Sequence, residues 1–85
     1  MYSVIFNKRA KSQFKKLDHL LQERILNHLE RIKIRPHHFV KKLAGSNYFS
    51  LRVGNYRLIL DVVNKELVVV VIDIGHRRKI YKRDN

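Results

Sequence analysis

Eighty-five residues with no cysteine, and nineteen lysines and arginines against seven acids for a formal charge of +12, point to one small domain spanning 1–85 that folds without disulfides or thiolate-held zinc. The longest apolar run is too short to span a bilayer and the N-terminus has no signal-peptide core, so a cytoplasmic protein with no membrane association is expected. A field of this sign repels copies of itself and attracts polyanions, which makes nucleic acid or an acidic protein the leading partner classes and an anionic membrane surface a poorer one.

Tyr2 to Phe6 is a short run of strand-forming residues. Asn7 is placed to cap a helix in which Ala10, Phe14 and Leu17 recur at helical spacing. Lys8, Arg9, Lys11, Lys15 and Lys16 form its outer face, for which solvation is the simplest reading and phosphate binding the minority one. Residues 1–17 thus hold five basic residues and no acid, whereas residues 18–34 balance at zero. Asp18 is placed to cap a second helix. Leu21, Ile25, Leu29 and Ile32 draw one apolar stripe along it, and Leu17, Leu20, Leu26 and Ile34 are expected to broaden that stripe. Pro36 stops the helix and pushes Arg35 out of helical geometry. The two helices, 7 to 34, are expected to lie as a hairpin across one face of a sheet.

His37 to Gly45 reads as a connection, with a short edge extension near Lys41 and Lys42. Adjacent histidines diverge on most backbones, and with no acid or third histidine nearby no metal site is expected from His37 and His38. There is no phosphate-cradling glycine loop, no HExxH and no GxSxG. Aspartates are few, which argues against a two-metal nuclease. A nuclease of this composition has to work without metal or cofactor, through cations, histidine or tyrosine.

Tyr48 to Tyr81 organises the chain. Three β-branched, apolar runs are separated by two short polar breaks, Gly54-Asn55 and Asn64-Lys65, each read as a two-residue hairpin turn. With Gly54 and Asn55 as the loop, Val53 pairs with Tyr56, Arg52 with Arg57 and Leu51 with Leu58. Phe49, Leu51 and Val53 then share a core face with Tyr56, Leu58, Leu60 and Val62, since side chains alternate along a strand. Like charges directly opposite one another destabilise a sheet. Arg52 and Arg57 therefore either splay into water or share an anion. Leu67 to Ile74 is apolar on both parities apart from Asp73, the pattern of a central strand covered on both faces. It runs into Gly75 and the cluster His76-Arg77-Arg78-Lys79, and residues 77–85 hold five basic residues and one acid. In an antiparallel meander Arg52, Arg57 and Arg77 are expected to converge at one end of the sheet.

The segments LAG, LRVGNYRLILDV and VVVVIDIGHRRKIY resemble the RelE toxins of the RelE/ParE superfamily, and the resemblance extends over essentially the whole chain. It implies an α+β, microbial-RNase-like domain with an N-terminal strand, a two-helix hairpin and a three-stranded antiparallel meander. It further implies the toxin of a type II toxin–antitoxin system: a ribosome-dependent endoribonuclease that cuts mRNA, needs no cofactor, and is inhibited by an acidic, helix-rich RelB-like antitoxin. Arg57, Arg77 and Tyr81 match the family's catalytic positions. Arg52, Lys41, Lys42, His76, Arg78 and Lys79 are the accompanying candidates for RNA contact. The strand at 48 to 53 carries Ser50 and Arg52 where relatives often carry lysines, so the resemblance assigns no general base. Two alternatives stand beside this reading: a ParE-like toxin that poisons gyrase with the same fold, and a basic nucleic-acid-binding module without catalysis.

Overall fold

In the computed structural model, which describes residues 1–76, strand β1 (Ser3–Phe6) leads into helices α1 (Lys8–Lys15) and α2 (His19–Ile32). A short helix α3 (Pro36–Phe39) and a two-residue strand β2 (Lys41–Lys42) follow, then strands β3 (Phe49–Val53), β4 (Tyr56–Val63) and β5 (Val68–His76). All five strands form one α+β sheet in the order β1-β5-β4-β3-β2. Among the described residues only the β1–β5 pair is parallel.

Both expected caps are present. The Asn7 side-chain oxygen accepts from the Ala10 amide at 2.8 Å, and that of Asp18 accepts from the Leu21 amide at 2.9 Å. Asn7 has a second task, because β1 ends at Phe6 while β5 continues to His76. The backbone edge this exposes is taken up by the start of α1. The Asn7 amide donates to the Val71 carbonyl at 3.0 Å and its Nδ2 donates to that of Ile72 at 3.2 Å. Gln13 accepts from the Ile74 amide at 2.7 Å and donates to the Asp73 carboxylate at 2.8 Å. Unpaired strand edges invite aggregation, and here helix side chains close one.

The core lies between the helices and one sheet face. Ala10 of α1 and Ile25, Leu29 and Ile32 of α2 pack on Leu51, Val53, Leu58, Leu60, Val69, Val71 and Ile74. Full burial of each leucine, isoleucine or valine among them contributes about 1.5–3 kcal/mol. The β3–β4 ladder has the expected register, with Val53 opposite Tyr56, Arg52 opposite Arg57 and Leu51 opposite Leu58.

Several expectations need correction. The second turn is not two residues long: Val63 pairs with Val68, leaving a loop of Asn64 to Leu67 in which Leu67 takes φ 54°. β5 is central, yet only one of its faces is fully covered, and Val68, Val70 and Ile72 remain half-buried. The stripe on α2 is narrower than expected, because Leu20 and Ile34 are 72% and 67% exposed and Leu26 is exposed too. The connection after Pro36 forms α3, in which proline occupies the first turn, where its missing N–H costs nothing. His37 there donates from Nε2 to the Asn64 side-chain oxygen at 3.1 Å. Among the described residues, no helix is long and apolar enough to cross a membrane.

Candidate functional site

β2 pairs with Phe49 and Ser50 of β3, so among the described residues no strand lies beside the edge of β3 beyond Ser50. A groove of about 440 Å³ opens there, lined by His28 and Arg31 of α2, Phe39 of α3, Lys41 of β2, Ser50, Leu51 and Arg52 of β3, and Arg57 of β4. Its elements hold it from three sides: the helix core fixes α2, the β3–β4 ladder fixes the arginine pair, and the short β2 rung fixes Lys41 opposite Ser50. Ser50 is buried, Arg57 is half-buried and Arg52 is exposed.

The turn that joins the two arginines needs its glycine. Gly54 has φ +59°, and a Cβ there would sit 3.1 Å from the Arg24 guanidinium, which α2 lays over the turn. Arg52 donates from Nε to the Gly54 carbonyl at 3.3 Å, which turns its guanidinium toward that end of the ladder. Arg57 stands between Arg52 on one side and Gly75 on the other. A residue without a side chain at that rung leaves room beside Arg57.

His28 has a defined tautomer. Its Nδ1 lies 2.8 Å from the Arg24 carbonyl oxygen, which only accepts, so Nδ1 carries the hydrogen and Nε2 of the neutral ring carries the lone pair. Four of the groove's lining residues, Arg31, Lys41, Arg52 and Arg57, bring cationic side chains, and none of its described lining residues is acidic. Such a site suits a phosphodiester, which guanidinium forks grip bidentately without losing their charge.

Of the residues singled out in the sequence, Arg52, Arg57 and Lys41 therefore meet in one groove. Lys42 pairs with Phe49, on the other face from Lys41, and lines a separate shallow surface with Leu43 to Asn47. His76 pairs with Tyr56, its ring edge-on at 5.6 Å, and so lies on the opposite face of the sheet from Arg57. Arg77, Arg78, Lys79 and Tyr81 lie outside the described residues. His28, Arg31 and Phe39 were not anticipated. Arg24, His28 and Arg31, spaced by four and three residues beside the apolar stripe, were the available signal: a second, basic stripe on the same helix.

The family model describing the ParE toxin of the type II toxin–antitoxin system parDE matches residues 4–81. The mRNA interferase toxin RelE of Escherichia coli is 30% identical over 81 residues, spanning 92% of this chain and 85% of that protein. Among solved structures, the intact Escherichia coli RelBE toxin–antitoxin complex matches with a TM-score of 0.77 at 28% identity, covering 89% of this chain and 96% of that one. The archaeal RelE–RelB complex from Pyrococcus horikoshii matches with a TM-score of 0.77 at 25% identity, covering 89% of this chain and 94% of that one.

Proposed function

The chain belongs to the ParE toxin family of type II toxin–antitoxin systems, within the RelE/ParE superfamily, and on that premise we propose that it is a RelE-type mRNA interferase. In this reading it is an endoribonuclease that cuts mRNA on the ribosome, acts in the cytoplasm where translation occurs, and is held inactive by an acidic, helix-rich RelB-like antitoxin. The observation that carries the reading is the groove in which Arg52, Arg57, Lys41 and Arg31 surround one space with no acid among its described lining residues. The relative named mRNA interferase and the neighbours solved with an antitoxin support the activity and the partner.

The chemistry such a groove serves is attack of the RNA's own 2′-hydroxyl on the adjacent phosphate, without a metal. The 2′-oxygen–phosphorus bond forms as the bond to the 5′-oxygen breaks. One proton leaves the 2′-hydroxyl and one reaches the departing oxygen, giving a 2′,3′-cyclic phosphate and a 5′-hydroxyl. Charge accumulates on the non-bridging oxygens, and in this reading Arg57 and Arg77 stabilise it. Arg52, Lys41 and Arg31 hold the flanking backbone, with Lys42, His76, Arg78 and Lys79 as outer contacts. Tyr81 stacks on a base or passes a proton.

The test is mRNA carrying a single 2′-deoxynucleotide at the cut site of programmed ribosomes. Cleavage should vanish with that one substitution, and the ribose control should yield a cyclic phosphate end. Cleavage that survives the deoxy substitution would contradict the mechanism. The matching family model is named for ParE toxins, which keeps one other reading, a ParE-like toxin; the target that the sequence resemblance implies for it is gyrase. Inhibition of purified gyrase with no cleavage on ribosomes would establish that reading instead.

A further inference from the structure

We propose that His28 is the general base of the cleavage, accepting the 2′-hydroxyl proton at Nε2. This assignment rests on the endoribonuclease reading above and supplies the proton acceptor that reading leaves unassigned. Three observations lead to it. His28 lines the same groove as Arg52 and Arg57, although it comes from α2, far from them in sequence. Its Nδ1–H is spent on the Arg24 carbonyl one helical turn earlier, which fixes both the tautomer and the ring rotation. With Nδ1 turned to its own helix, the lone pair on Nε2 occupies the outer end of the ring. A base oriented through its second nitrogen is the arrangement proton transfer requires.

The other charged groups among the groove's described lining residues are all cationic. Arg24 and Arg31 share its helix, Lys41 comes from β2, Arg52 from β3 and Arg57 from β4, while α3 contributes only Phe39. With no carboxylate among the described lining residues, and with arginine permanently protonated, His28 and Lys41 are the acceptors available there. Of the two, His28 is the one whose lone pair is oriented, because its other ring nitrogen is held by the Arg24 carbonyl. On proton transfer the ring becomes imidazolium beside the anionic phosphate. The imidazolium then gives that proton to solvent as the cyclic product leaves, while the departing 5′-oxygen takes its proton from water, so the histidine ends as it began.

The experiment is single-turnover cleavage of mRNA on programmed ribosomes across a pH series. Wild type, His28→Gln and His28→Ala are compared, with melting curves for each. Both variants should cut roughly 10²-fold more slowly, the usual scale for losing a general base. The pH dependence of the rate should differ from wild type in both, and added imidazole should restore part of the rate to His28→Ala alone. Wild-type rates in both variants would overturn the assignment. So would slow variants that keep the wild-type pH profile and ignore imidazole, because that result marks a structural or RNA-holding role. A wild-type protein that never cuts would overturn the endoribonuclease reading, and this assignment with it.

Discussion

Arg52 and Arg57 face one another across the β3–β4 ladder, and like charges in that relation weaken a sheet. The pair is retained beside a groove that Arg31 and Lys41 make still more cationic. A bound phosphate reverses the sign of that local energy, so the cost is carried by the empty protein and recovered on binding. Arg52 is the exposed member, and among the described residues it makes one long hydrogen bond, 3.3 Å to the Gly54 carbonyl. Arg52→Ala is therefore expected to leave stability unchanged or raise it, within about 0.5 kcal/mol, as surface charge changes do. RNA affinity should fall several-fold and its salt dependence should become shallower by roughly one counterion. Urea unfolding and RNA titration across a salt series measure the two quantities. A loss of more than about 1 kcal/mol in folding would show that Arg52 supports the turn more than the ligand.

At the scale of elements, α1 does more than cover the core. Through Asn7 and Gln13 it completes the backbone edge of β5 where β1 stops, and Arg9 lies 3.6 Å from the Asp73 carboxylate on that edge. Asn7→Ala removes the helix cap and the bond to the Ile72 carbonyl together. The expected loss is about 1–2 kcal/mol, near the upper end for an N-cap because a part-buried carbonyl also loses its donor. A loss below about 0.3 kcal/mol in urea unfolding would mean that water replaces the side chain at no cost. How much of this was legible in the sequence differs by element. Asn7 and Asp18 announce their helices because capping is local chemistry. The Gly54-Asn55 turn sets the β3–β4 register, because only a residue at ease with positive φ fits at Gly54. The Asn64 to Leu67 loop misleads, since Leu67 takes φ 54° that leucine rarely adopts. Leu20 and Ile34 fit the apolar periodicity of α2 but stay exposed, and periodicity alone does not reveal where the opposing surface ends. The arginine pair was visible because hairpin pairing is a local rule. His28 was not, because its place in the groove depends on how α2 lies along β3, a tertiary relation.

For the whole molecule, +12 on a chain of this length draws any polyanion and so explains attraction without explaining reaction. Separating the two requires variants that change the net charge equally and differ only in where the charge sits. Arg57→Ala and Lys65→Ala each lower the formal charge by one, from +12 to +11. Arg57 lines the groove, whereas Lys65 is exposed in the loop at the opposite end of β4. The decisive measurement is single-turnover cleavage of mRNA on programmed ribosomes by these two proteins and the wild type at one ionic strength, with melting curves alongside. Arg57→Ala should cut roughly 10²-fold more slowly, the scale of losing one transition-state stabiliser, with folding changed by no more than about 1 kcal/mol. Lys65→Ala should cut within about twofold of wild type. Equal, small losses in both variants would contradict the account, leaving a basic surface that binds RNA and a groove with no part in cutting it.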